Sequence, residues 1–309
     1  MNKSKNRTEI LALIAFVILC IVWGTTYLVI RISVAVFPAE TFSGIRFILS
    51  GLIVMAFAIL TKQKMPKRIW DFLKISTSGI LMLLGGHGLV VFAEQWVHSG
   101  VTALILSLGP IFIALLELII LKKKTLNVWG WVGLFTGFIG VLILVVNGKE
   151  IGSIDFKGGV ILLAACLLFA AGSIFSKKYS ADGSIVSQLA IQMIAGGAGL
   201  LITGGILGEY SKVTINFTVV WTMIYLTIFG GIIGYGAYIY VLKHWPASKA
   251  GTYSYVNTVI AVILGAVILK EPVNANIIFS IFLIFGGVIA VQISKVKTTE
   301  SICEKGKND

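Results

Sequence analysis

Apolar residues run along this chain in long blocks, and most of its charged residues fall in the short stretches between them. The blocks cover 10–36, 40–60, 71–93, 100–121, 126–146, 157–176, 185–207, 219–242, 248–269 and 275–294. A helix needs ~20 mostly apolar residues to cross a bilayer, so the pattern predicts ten transmembrane helices. A β-barrel would instead alternate in segments of ~10 residues. The expected fold class is an all-α integral membrane protein, with the lipid bilayer as its solvent. The opening "MNKSKNRTEILALIAFVILC" has the basic start and apolar core of a secretory signal. Its apolar run continues past Trp23 without a small-residue cleavage pattern, which predicts a retained first helix.

Composition agrees with the pattern. Of 309 residues, 57% are hydrophobic and 12% charged, against roughly 25% charged in a soluble domain. The net charge of +12 comes from Lys and Arg scattered over short loops. Nucleic-acid binding would need one basic face with interleaved aromatics, so no nucleic-acid partner is expected. The loop charges instead set topology. Both tails and the loops after spans 2, 4, 6 and 8 carry most of the 25 basic residues. The opposite loops hold Arg31, Lys149, Lys157, Lys212 and Lys270. Both termini are therefore expected in the cytoplasm. Cys20, Cys166 and Cys303 form no close pair, so neither a disulfide framework nor a metal cluster is expected.

The chain also matches itself. "FSGIRFILSG", Phe42 to Gly51, aligns with "QLAIQMIAGG", Gln188 to Gly197, pairing Ile45 with Ile191, Arg46 with Gln192 and Gly51 with Gly197. The same offset pairs Cys20 with Cys166, Trp23 with Phe169 and Arg31 with Lys177. Nearby, "GHG", Gly86 to Gly88, meets "GYG", Gly234 to Gly236. Two five-helix repeats result, 1–149 and 150–309. An odd number of spans in each makes the repeats inverted. Inverted repeats place a site near the membrane midplane, at their shared interface, and let it open to either side in turn.

These stretches resemble the EamA family of the drug/metabolite transporter superfamily. The likeness runs from "VWGTTYLVIR", Val22 to Arg31, through Pro38, "GIRF", Gly44 to Phe47, and "GVTALILSLGPIFIALL", Gly100 to Leu116. It continues to "YVNTVIAVILGAVILKEP", Tyr255 to Pro272. The resemblance implies a ten-helix carrier of the inner or cytoplasmic membrane, usually an exporter of amino acids, other small metabolites or drugs. Two positions depart from the family pattern: Thr258 stands where proline is common, and Lys123 where a glutamate often ends the fourth helix.

Helical spacing selects the candidate cavity residues. Trp23, Thr26 and Tyr27 share one face of span 1. His87 sits between glycines on span 3 and is the intramembrane group suited to titrate near neutral pH, either binding substrate or sensing protons. Tyr235 matches His87 across the repeat, and Tyr238 follows it. Tyr253 and Asn257 share a face of span 9, and a mid-span amide needs a partner other than lipid. Together these groups suit a small amphipathic solute.

Four further polar groups are gating or structural candidates. Glu94 lies about 10 Å beyond His87, toward the outer mouth. Glu117, near the cytoplasmic end of span 4, is expected to snorkel to the surface or to join an inner gate with a loop lysine. Arg46 and Gln192, matched by the repeat, read as a pair of polar anchors. Arg46 would bond carbonyls of a neighbouring helix at the outer gate, in preference to acting as a substrate counter-ion.

The function expected is secondary transport, outward, of a small-molecule substrate, with protons as a candidate coupling ion. No Walker-type motif is present for ATP hydrolysis, and no cofactor is expected. An importer or exchanger on the same fold is the alternative. An intramembrane enzyme using Ser107 and His87 lacks an oxyanion motif and is disfavoured.

Overall fold

The structure, a computed structural model, describes residues 3–95, 97, 102, 105–147, 156–269 and 275–294. The described chain is helical. The first half contains α1 (Lys3–Val34), α2 (Ala39–Leu60) and α3 (Ile69–Gly79), which runs on through a π-helical segment (Ile80–Gly88) into α4 (Leu89–Ala93). It ends with α5 (Gly109–Ile120) and α6 (Val128–Asn147). The second half contains α7 (Phe156–Lys178), α8 (Ile185–Ile206) and α9 (Phe217–Tyr225), which runs through a second π-helical segment (Leu226–Tyr235) into α10 (Gly236–His244). It closes with α11 (Ala247–Gly251), α12 (Tyr253–Leu269) and α13 (Ala275–Ile293).

Among the described residues, 7 helical stretches are long and apolar enough to cross a membrane. α5 and the described apolar part of α6 are shorter, and α12 has 17 residues. The difference from the ten expected spans lies where they run into residues outside the described set, at 98–101, 148–155 and 270–274. The polarity of the molecule is inside out. Leu60, Ile206 and Phe217 are 80% or more exposed, whereas Arg46, Glu117, Gln192 and Asn257 are 3% or less. Lipid solvates the former without cost, and the latter require protein partners.

Glycines set the closest helix contacts. α2 packs antiparallel along α8. A Cβ on Gly51 would meet Ile194 Cγ1 at 2.7 Å and Ala190 O at 3.1 Å; one on Gly197 would meet Ile48 Cγ1 and Gly44 O, each at 3.1 Å. Those partners are the repeat counterparts of one another, so the two glycines make the same contact twice. The helix ends repeat the relation. α8 begins against the segment after α2, where Ser184 N and Ser187 Oγ both donate to Lys64 O at 2.8 Å. Lys64 also pairs with Asp182, whose carboxyl this hydrogen bond holds below the usual range. α2 begins against the segment after α8, where Glu209 accepts from Thr41 N at 2.7 Å and Thr41 Oγ1 at 2.8 Å.

α6 and α13 form a second antiparallel pair through Gly133, Gly137 and Gly287. The two π-helical segments also occupy matching positions, each packed by glycine against a helix of the other half. A Cβ on Gly86 would meet Phe169 Cβ at 2.8 Å, and one on Gly234 would meet Trp23. Runs of π-helix are rare and concentrate at functional sites.

Candidate functional site

The two π-helical segments face one cavity of about 130 Å³, close to the roughly 150 Å³ that admits benzene in an engineered apolar cavity. The first half contributes Trp23 and Thr26 from α1, Arg46 and Phe47 from α2, and Gly86 and His87 from the first π-segment. The second contributes Phe169 from α7, Gly230 and Tyr235 from the second π-segment, and Tyr253, Ser254 and Asn257 from α12. Glu94, Cys166 and Pro110 also border it.

Wider π-helical turns leave carbonyls to side-chain donors. Trp23 Nε1 donates to Gly230 O at 3.0 Å, and Ser50 Oγ to Thr227 O at 3.0 Å. These bonds tie α1 and α2 to the second π-segment. Trp23 then anchors an aromatic wall, with Tyr238 stacked at 5.7 Å, Tyr253 edge-on at 5.0 Å and Phe169 edge-on at 6.4 Å. Thr26 Oγ1 donates within its helix to Trp23 O at 2.8 Å. With its amide nitrogen turned toward them, Asn257 donates to Cys20 O at 2.9 Å and Tyr253 O at 3.1 Å, joining α12 to α1 beneath the cavity wall.

Arg46 differs from the expectation that it would anchor on carbonyls. Its Nη2 meets His87 Nε2, and its guanidinium lies 4.2 Å from the Phe47 ring centroid. The physical reason is that His87, set between Gly86 and Gly88 on the π-segment, offers an acceptor across the cavity. Arginine has no acceptor to offer, so Nε2 must accept and the imidazole hydrogen sits on Nδ1. Gln192, its repeat counterpart, lies in a closed network: Nε2 donates to Ser78 Oγ at 2.8 Å, and Oε1 accepts from Tyr235 at 2.9 Å.

Two other expectations change. Tyr238 backs the aromatic wall without lining the cavity, because its hydroxyl is bonded to Ser173 Oγ at 2.7 Å and its side chain is fully buried. Glu117 does not snorkel: it is 1% exposed and accepts from Ala247 N at 2.9 Å, Ser248 N at 3.0 Å and Thr125 Oγ1 at 2.9 Å. The open N–H groups at the start of α11 draw it inward. Lys177 serves the preceding helix end, donating to Leu242 O at 2.8 Å and to Trp245 O. The Tyr27 side chain, Glu271 and Cys303 lie outside the described residues. Ser107 does not border the cavity.

Sequence reasoning missed Glu209, Lys177 and Phe169. For Phe169 the signal was present, since the repeat pairs it with Trp23. The other two act on backbone groups whose positions only the fold reveals. Glu209→Ala is expected to destabilise the protein by about 1–2 kcal/mol through loss of the α2 cap, read as a lower unfolding temperature in detergent.

The comparisons with known proteins converge on this architecture. The EamA-like transporter family model matches twice, over residues 10–146 and 156–292; the two matches stand at the offset that pairs Arg46 with Gln192. The chain is 33% identical over 249 residues to the uncharacterized inner membrane transporter YedA of Escherichia coli (strain K12), covering 80% of this chain and 79% of that protein. It is 26% identical over 275 residues to the uncharacterized transporter YoaV of Bacillus subtilis (strain 168), covering 87% and 92%. A crystal structure of a protein 18% identical aligns over 93% of this chain and 98% of its own, with a TM-score of 0.76, and shares the fold. With a family unit fitting both halves and a relative one third identical along most of its length, this chain belongs to the EamA-like transporter family.

Proposed function

We propose that the protein is a secondary transporter that exports a small amphipathic solute by alternating access. Ten spans form two inverted five-helix repeats, 1–149 and 150–309, with both termini in the cytoplasm. The observation that carries this reading is the single cavity walled by both halves, with a π-helical segment from each beside it. The twin contacts of Gly51 and Gly197 support the inverted relation.

In the assigned orientation the cavity reaches Ile30 and Glu94 toward the outside. On the cytoplasmic side Phe16 packs on Trp245 at 5.4 Å, within a buried cluster that includes Leu242 and Ala247. This state is outward-facing. Rocking one half against the other would open that cluster and close the outer mouth, with the π-segments as the places where helical winding can change. His87 is the candidate for coupling to protons.

Purified protein in liposomes, loaded with a solute panel and followed with and without a proton gradient, tests the reading. His87→Ala and Asn257→Ala are expected to reduce flux at least about tenfold while folded protein stays within about twofold of the parent, as for groups that meet the solute. A parallel fall of flux and folded protein would assign both to packing. Chemical conversion of a membrane solute with no flux would sink the carrier reading.

A further inference from the structure

Arg46 is a permanent cation, 3% exposed, at the wall of a cavity in the membrane interior. Buried charges require a partner of opposite sign. Among the described residues the ion pairs are Lys64 with Asp182 and Lys74 with Asp71, and neither involves Arg46. Its polar side-chain contact is with His87, which as an acceptor at Nε2 is neutral and supplies no compensating charge. Phe47 covers one face of the guanidinium and stands edge-on to His87 at 5.3 Å. The guanidinium therefore stands at the cavity wall with no carboxylate paired to it among the described residues, Glu94 bordering the same cavity without forming an ion pair with Arg46, beside the aromatic wall of Trp23, Phe169 and Tyr253.

We propose that Arg46 binds the carboxylate of the transported solute, and that the substrate is an organic acid with a compact apolar or aromatic body. The proposal rests on the carrier reading for transport but not for binding. Arg46 takes the two carboxylate oxygens in forked geometry. The cavity volume confines the body to about the size of one aromatic ring. His87 holds the guanidinium toward the cavity until the acid arrives. Solute binding supplies the missing anion, so an empty cavity is the costlier state.

The test uses the full-length protein in lipid nanodiscs and matched pairs differing only in charge: 3-phenylpropionate against 3-phenylpropionamide, and hexanoate against hexanamide. Calorimetry is expected to show each acid binding at least about tenfold more tightly than its amide, as befits a charge-assisted pair. In Arg46→Gln the preference is expected to vanish while amide binding persists, which also reports that the cavity has folded. Arg46→Lys is expected to keep part of the preference, because charge remains and the fork is lost.

Equal binding of acid and amide to the parent overturns the proposal, as does failure of every acid to bind. Retention of acid preference by Arg46→Gln does the same. Flux of neutral solutes without acid preference leaves the carrier reading standing and removes this one. Arg46-dependent acid binding without flux does the reverse.

Discussion

Gly287→Ala is expected to cost about 3 kcal/mol, the upper end for overpacking, whereas Gly286→Ala should be neutral or gain up to about 1 kcal/mol from helix propensity. The two glycines are neighbours on α13 and face opposite environments. A Cβ on Gly287 would stand 2.6 Å from Gly133 O and 2.6 Å from Gly137 N. Both are backbone atoms of α6, so relief requires the helices to separate along their shared seam. A Cβ on Gly286 meets nothing within 4 Å. Unfolding temperature and the yield of monodisperse protein should therefore fall for the first variant and hold for the second. Equal loss in both would mean that the seam does not limit stability.

Glu117→Ala is expected to cost about 2–4 kcal/mol, because it strands two buried N–H groups at the start of α11 and removes the acceptor of Thr125. Ala247 and Ser248 are fully buried, so water cannot replace the carboxylate. Glu117→Gln keeps a carbonyl acceptor and is expected to lose about half as much. Heat unfolding in detergent measures both, and a neutral Glu117→Ala would count against the cap. The loss should also reach the packing around Phe16, since Trp245 and Ala247 hold the turn between α10 and α11 against it.

The apolar blocks made the helices legible because lipid imposes its own length on each span. α2 and α8 begin and end within a residue of the expected limits. The repeat was legible because Gly51 and Gly197 carry a steric demand that any residue with a side chain would violate. The π-helical winding was not, since "ILMLLGGHG" and "LTIFGGIIGY" fit an α-helix equally well until α1 and α7 press against their glycines.

The cavity residues were readable from helical faces where a face was wide, as for Trp23 with Thr26 and Tyr253 with Asn257. Tyr238 escaped, because a hydroxyl near a face edge turns toward whichever donor is close, here Ser173. Arg46 and Glu117 were misread for one reason. Periodicity gives depth along a helix, but the partner of a charge is fixed by a different helix.

The contact between α2 and α8 has the form of an isologous interface, in which one surface patch meets its own counterpart about a two-fold axis. Such a patch is self-complementary, so a stabilising change at one position has a second place to act. Ile48 and Ile194, which meet Gly197 and Gly51 in turn, behave as one design variable written twice. A single family unit bearing that patch would already carry a surface complementary to its own counterpart. The covalent link between the halves then adds proximity and fixed stoichiometry, while the recognition resides in the helices.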